Sequence, residues 1–169
     1  MKEPSSSNSF ESEFDRLVRA ATRGRVLLRV KALEALARID DPAVGDQLLL
    51  ALSDRSPSVR SVAAACLGTV QTRSTVIQLE KRLADSNSEV RMMAVRSLGK
   101  LLKSRTAPRA LVMRLDDLDE LVRVEACQAL KEIGDRNALP ALWRAIDDNS
   151  PLVRRYAAGC VGALGGARR

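Results

Sequence analysis

The apolar and polar positions of this chain follow a pattern that repeats along its length. Residues 56–68 read SPSVRSVAAACLG, and residues 87–99, 119–131 and 150–162 have the same arrangement, with a weaker copy at 28–36. The arginines that align between the copies are 31 or 32 residues apart: Arg29, Arg60, Arg91, Arg123 and Arg154. A fixed period in this range predicts a solenoid, in which each unit buries its apolar face only against its neighbours.

Within each unit, two segments carry apolar residues at the three- to four-residue spacing of an amphipathic α-helix. The predicted first helices span about residues 10–21, 43–53, 74–84, 107–116 and 139–147, and the second helices about 26–39, 57–70, 88–102, 120–133 and 151–164. Ser56-Pro57 and Ser150-Pro151 place a capping hydroxyl before a proline at the first helical position, and Asn87 and Asp119 fill the same cap position. The pattern therefore predicts an all-α protein built from five helical hairpins.

Apolar columns are expected to hold these hairpins together. One column lies on the first helices: Leu48, Leu79, Leu111 and Leu142. On the second helices, the buried stripe starts at Leu28, Val59, Val90, Val122 and Val153, and continues through Ala32, Ala63, Ala94, Ala126 and Ala157. Side chains of this kind on one face of each helix predict a continuous core along the stack.

A second, ionic column accompanies the apolar ones. In four units an aspartate precedes the repeat arginine by six residues: Asp54 and Arg60, Asp85 and Arg91, Asp117 and Arg123, Asp148 and Arg154. Each arginine is within reach of the aspartate of its own repeat or of the next one, which would form a ladder inside the stack. We interpret these residues as a structural Asp/Arg ladder, with anion binding as the alternative.

One solenoid domain is predicted over residues 10–165, with repeats at about 10–41, 42–72, 73–104, 105–135 and 136–165. The polar residues 1–9 have almost nothing to bury and are expected to form a disordered N-terminal tail. Residues 166–169 form a basic C-terminal tail.

The pattern D-x-S-x-x-V-R-x-x-A-A-x-x-L-G, at about 31 residues, resembles the HEAT-like repeat that is also known from phycobilin lyases. Two copies carry it most completely: Asp54, Ser56, Val59, Arg60, Ala63, Ala64, Leu67 and Gly68, and Asp148, Ser150, Val153, Arg154, Ala157, Ala158 and Gly162 with Val161 at the leucine position. The resemblance implies a right-handed α-solenoid of five HEAT-like repeats, whose second helices line the concave surface. It does not imply one function, because such repeats serve as scaffolds, lyase subunits and DNA-repair enzymes.

The amino-acid composition limits the classes of function that can be expected for this chain. The chain has no histidine, no Gly-rich phosphate loop and no spacing typical of metal ligands, so no catalytic residue, cofactor or metal site is predicted and a non-enzymatic role is expected. Three cysteines without CxxC spacing, Cys66, Cys127 and Cys160, favour free thiols in the cytoplasm. No apolar run is long enough for a membrane span, so no membrane partner is expected.

On a helical wheel, the expected concave surface is nearly balanced in charge and rich in apolar side chains. The candidate protein-binding residues are Val30, Val62, Met92, Met93, Arg96, Lys100, Val124, Gln128, Arg155 and Tyr156. Exposed Val, Met and Tyr in a row are typical of a protein-binding surface, so another protein is the expected partner. The opposing interpretation is that half of these side chains are buried between adjacent repeats.

Two other functions stay open at this stage. The net charge of +7 raises the hypothesis of a nucleic-acid adaptor that uses basic residues at the turns between repeats: Arg73, Lys103, Arg105 and Arg136, with Arg168 and Arg169 at the end. The resemblance alone implies a lyase or chaperone-type subunit acting on a tetrapyrrole-carrying protein. The last helix carries no charge after Arg155 until Arg168, which predicts self-association or partner docking at that end.

Overall fold

The computed structural model describes residues 12–70 and 74–165, and over these ranges the chain is helical without a β-strand. The helices are α1 (Glu13–Arg23), α2 (Val26–Leu36), α3 (Ala43–Ala51), α4 (Pro57–Leu67), α5 (Thr75–Arg82), α6 (Ser88–Leu101), α7 (Arg109–Val112), α8 (Glu120–Ile133), α9 (Leu139–Ala145) and α10 (Pro151–Ala163). Short 3₁₀ segments at Met113–Asp116 and Arg136–Ala138 adjoin α7 and α9. The predicted tails and the predicted start of the first helix at Phe10 lie outside the described residues.

Consecutive helices pack as hairpins, and the hairpins stack in chain order. Each even-numbered helix contacts its own partner and also the even-numbered helix of the next hairpin, in the series α2, α4, α6, α8 and α10. The odd-numbered helices touch their counterparts much less. Because closer spacing along one layer bends a stack toward that layer, we call α2, α4, α6, α8 and α10 the inner layer and the odd-numbered helices the outer layer. The α-solenoid predicted from the repeat is therefore confirmed.

Local sequence accounts for where the second helices begin. Ser150 and Asp119 accept backbone N–H bonds from the second and third residues of α10 and α8, and Asn87 accepts one from Val90 at the start of α6. Ser56 forms no side-chain cap bond, contrary to the expectation from Ser56-Pro57. Its backbone N–H instead donates to Asp54, which holds the same turn in place.

The first helix of the fourth hairpin is the element that departs most from its predicted form. The span expected at residues 107–116 begins only at Arg109, runs as α-helix for one turn and continues as 3₁₀. Pro108 restricts the backbone before the helix, and the N–H of Ala107 donates to the Asp135 carboxylate instead of entering a helical turn.

The predicted apolar columns form the core. Leu48, Leu79, Leu111 and Leu142 are fully buried, as are the alanines and branched residues aligned on α4, α6, α8 and α10. Leu28 is the exception and was wrongly assigned to the core, since it is 51% exposed. It lies in the first described hairpin, and no earlier repeat among the described residues covers it.

Two leucines on α8 provide a matched test of the core. Leu130 is fully buried and Leu121 is 56% exposed on the same helix. We expect Leu130→Ala to lower the free energy of unfolding by about 2–5 kcal/mol, because it removes buried methyl groups and leaves a cavity. Leu121→Ala should change it by less than about 1 kcal/mol. Chemical denaturation followed by circular dichroism measures both, and equal losses would contradict this packing.

Candidate protein-binding surface

Arginines and aspartates connect successive hairpins near the turns within repeats. Arg60 donates to both carboxylate oxygens of Asp85 at 2.9 and 2.8 Å, and Arg91 contacts Asp117 in the same two-bond manner at 2.9 and 2.7 Å. Arg123 donates to Asp148 at 2.9 and 3.0 Å. The planar guanidinium matches the carboxylate in this geometry, which makes each pair directional as well as ionic. The predicted ladder thus runs from each repeat to the next.

The same arginines also bind their own repeat, through main-chain atoms. Nη1 of Arg91 donates to the carbonyl oxygens of Asp85 and Ser86, and Nη1 of Arg123 donates to those of Asp117 and Leu118. The two candidate partners of each arginine, the aspartate of its own repeat and that of the next, are therefore both used. One is engaged through its carbonyl and the other through its carboxylate.

Each ladder aspartate additionally organises the turn that follows it. Asp54, Asp85, Asp117 and Asp148 accept a backbone N–H from the residue two positions later, at 2.7 to 3.0 Å. These turns lead directly into α4, α6, α8 and α10. One carboxylate therefore has two roles: it pairs with the arginine of the preceding repeat, and it fixes the turn before the second helix of its own repeat.

The two ends of the ladder differ from its middle. Arg29 pairs with Asp54 at 2.9 Å and is almost fully buried, so the weakest sequence copy still forms a rung. Arg154 donates to the carbonyl oxygens of Asp148 and Asn149. No carboxylate within residues 12–70 and 74–165 pairs with Arg154, because no further repeat follows α10 in the part of the chain that the structure describes.

Two further arginines, which were not predicted from the sequence, also contact the ladder aspartates. Arg114 donates to the Asp117 carboxylate at 3.1 Å, and Arg82 lies 3.6 Å from that of Asp85. Each also donates to a main-chain carbonyl of the preceding hairpin. The sequence does contain a sign of these contacts, because each arginine precedes a ladder aspartate by three residues at the end of a first helix.

These contacts lower the pKa of the aspartates Asp85, Asp117 and Asp148. Burial has the largest single effect and opposes ionisation of each carboxyl. The arginine bond, the backbone N–H two residues later and the nearby arginine charges together outweigh burial, so each pKa falls below its usual value of about 3.8. The ladder is consequently fully charged at neutral pH.

Not all of the candidate protein-binding residues face solvent. Val124 is only 8% exposed and belongs to the core, so its assignment to the concave surface was wrong. Val124 lies on α8, which is packed between α6 and α10. Val30, Val62, Met92 and Met93 are half-buried and pack against the core, each leaving part of its side chain accessible.

The polar candidates divide into paired and unpaired residues. Arg96 donates to both oxygens of Glu125 at 3.0 and 2.7 Å, which forms a second cross-repeat pair between α6 and α8. Glu125 is buried by this contact and was missed as a partner. Among the described residues, no ion pair involves Lys100 or Arg155, and both side chains are exposed.

Exposed apolar side chains lie on the inner layer of helices. Leu27, Leu121 and Leu152 occupy equivalent positions at the start of α2, α8 and α10, and Tyr156 is 36% exposed one turn beyond Leu152. The outer layer also exposes apolar groups, at Leu50 on α3, Ile77 on α5 and Met113 after α7. Met92 and Met93, which are half-buried, belong to the inner layer of helices, on α6.

The cysteines offer no reactive centre. Cys66, Cys127 and Cys160 are free thiols, and burial raises their pKa values to about 11, about 12 and about 11, so they are protonated at neutral pH. No cluster of side chains within the described ranges is arranged to hold a metal ion. None of the helices in those ranges combines the length and apolar character needed to cross a membrane.

Comparison with known proteins identifies the class to which this architecture belongs. The sequence profile described as HEAT repeats matches residues 45–123 and 108–169, and that of the PBS lyase HEAT-like repeat matches residues 28–54. The chain therefore belongs to the HEAT-repeat family. No curated protein sequence matches it.

Solved structures with the same architecture include natural and designed repeat proteins. The complex of CpcE and CpcF of phycocyanin lyase from Nostoc sp. PCC7120 contains a chain with 23% identity and a TM-score of 0.77, and the match covers 99% of this chain and 70% of that one. A designed armadillo repeat protein in complex with the peptide (KR)4 has 22% identity and a TM-score of 0.69, covering 88% and 80%. At these identities, the similarity establishes a shared fold.

The ladder can be tested by comparing an internal arginine with the terminal one. Arg91→Ala leaves the carboxylate of Asp117, whose side chain is 2% exposed, without its main partner. We expect a loss of about 3–5 kcal/mol in the free energy of unfolding. Arg154→Ala removes only bonds to exposed carbonyls and should cost about 1 kcal/mol or less. Urea denaturation of both variants measures the difference, and similar losses would show that the carboxylate contact contributes little.

The lowered aspartate pKa values predict acid sensitivity with a definite sign. A carboxyl whose pKa is lowered on folding stabilises the protein above its unfolded pKa of about 3.9, and this contribution is lost as the pH falls through the folded pKa. The thermal midpoint should therefore drop steeply below about pH 4. Asp117→Asn should make the drop shallower, whereas Asp116→Asn, at an exposed neighbouring position, should leave it unchanged. An unaltered drop in Asp117→Asn would contradict this assignment.

Proposed function

We propose that this protein is a non-catalytic scaffold that binds another polypeptide along the concave surface of its second helices. The observation that carries the proposal is that accessible apolar side chains recur on the inner layer of helices: the exposed leucines at three helix starts, Tyr156, and the half-buried Met92 and Met93. Apolar and aromatic groups of this kind, next to charged ones, are typical of protein-binding surfaces.

The architecture supports the same proposal. A stack of hairpins presents an extended inner surface, and repeat proteins use such surfaces to hold elongated partners. The designed armadillo protein in complex with a peptide and the CpcE and CpcF complex are both repeat proteins with a polypeptide partner. The chain lacks histidine, the commonest general base, and its thiols are protonated, which supports the non-enzymatic part of the proposal. The free thiols also support a reducing compartment such as the cytoplasm.

Binding through this surface predicts that Tyr156→Ala and Met93→Glu each weaken capture of the partner. The loss should be at least about fivefold in affinity, because aromatic and methionine anchors contribute about 1–3 kcal/mol each. Met113→Glu is the matched control, since Met113 is exposed on the outer layer. A pulldown with all three variants, each first checked for native circular dichroism, measures the effect. Partner capture that survives both inner variants but is lost in Met113→Glu would overturn the proposal.

A lyase or chaperone-type subunit is the second candidate, favoured by the PBS lyase HEAT-like repeat profile over residues 28–54. Transfer or removal of a tetrapyrrole on a carrier protein, dependent on this chain, would support it over a passive scaffold. The nucleic-acid adaptor is the third candidate. It would depend on the basic residues at the turns between repeats alone, because four repeat arginines are engaged with carboxylates. Binding to duplex DNA that falls steeply with salt would reverse that order.

A further inference from the structure

The last junction between hairpins is built differently from the two before it. A Cβ atom at Gly68 would lie 2.7 Å from Oγ of Ser97, and one at Gly99 would lie 2.9 Å from Cα of Ala129. Glycine at this position therefore lets α4 approach α6 and lets α6 approach α8 without a side chain between them. At the equivalent position on α8 the residue is Lys131, which carries a long side chain where the two preceding second helices carry none.

A groove of about 470 Å³ lies between α8 and α10. Lys131 and Gln128 line it from α8, and Arg155 and Tyr156 line it from α10. Gly159 contributes no side chain to it, since a Cβ there would meet nothing within 4 Å. The buried thiols of Cys127 and Cys160 form its apolar floor.

The groove has an excess of unsatisfied positive charge. Among the described residues, neither Lys131 nor Arg155 takes part in an ion pair, and both are exposed. The single acid in the lining, Glu132, lies toward α6, where its oxygen would be 3.5 Å from a Cβ at Gly99 and its charge acts on Arg96. Two cations therefore remain for a ligand, beside an accessible aromatic ring and an apolar floor.

We infer that this groove is the anchor point for an acidic segment of the partner polypeptide, with a carboxylate held by Lys131 and Arg155 and an adjacent apolar side chain resting against Tyr156. This inference rests on the proposed scaffold function and specifies the chemistry of the bound segment. An acidic peptide fits better than a nucleic acid, because one tyrosine offers no series of stacking platforms for successive bases. Charge complementarity of this kind determines both the choice of partner and the rate of encounter.

The test uses the full chain and three fluorescein-labelled probes in anisotropy titrations. The probes are a peptide of repeated Glu-Glu-Leu-Ser units, the same peptide with lysine in place of glutamate, and oligo(dT). We expect saturable binding of the acidic peptide only. The double variant Lys131→Glu/Arg155→Glu should weaken it by at least about tenfold, since two charge-assisted contacts become repulsive. Lys103→Glu/Arg105→Glu, with the same charge change at an exposed turn, should leave the affinity within about twofold.

The outcomes separate this inference from the scaffold proposal. Equal weakening in both double variants would show only a general effect of net charge and would overturn the inference. Tighter binding of the lysine peptide or of oligo(dT), sensitive to the groove variant, would assign the groove to a different ligand and also overturn it. If a pulldown partner depends on Met93 but not on Lys131 or Arg155, the scaffold function stands and the groove inference fails.

Discussion

The two-bond contact from an arginine of one repeat to an aspartate of the next is the interaction on which this stack depends. Apolar burial holds the hairpins together, but columns of alanine and leucine alone do not select one register between two packed helices. The guanidinium of Arg91 contacts the carboxylate of Asp117 and also the main chain of its own repeat. Because the same carboxylate bonds the turn that starts α8, one cluster determines the register of the hairpins and the start of the helix together.

Much of this architecture was predictable from the period of the sequence. The columns at Leu48, Leu79, Leu111 and Leu142 are visible as a repeat, and each is buried as expected. The spacing of six residues between Asp85 and Arg91 predicted an ionic pair but left its direction open. Only the stacked structure shows that the arginine extends to the next repeat while keeping a main-chain contact in its own.

The binding surface was less predictable, because a helical wheel describes one helix and burial depends on the neighbouring repeat. Val124 lies on the expected face but is buried in a helix packed between two others, and Leu28 lies in the buried stripe but has no repeat before it among the described residues. The groove lies beside Lys131, at a position where the two preceding repeats carry glycine. The sequence shows this change but gives no sign of a groove beside it. The fold is thus defined by what the repeats share, whereas the candidate site is defined by where they differ.

A double-mutant cycle on Arg91 and Asp117 tests the central role of the ladder most directly. The free energies of unfolding of Arg91→Ala, Asp117→Ala and the combined variant, compared with the unchanged protein, isolate the energy of the contact from that of either side chain alone. We expect a coupling energy of about 2 kcal/mol or more, because the pair is buried and joined by two bonds. Losses that add within about 0.5 kcal/mol would contradict the account and leave apolar packing as the sole determinant of the stack.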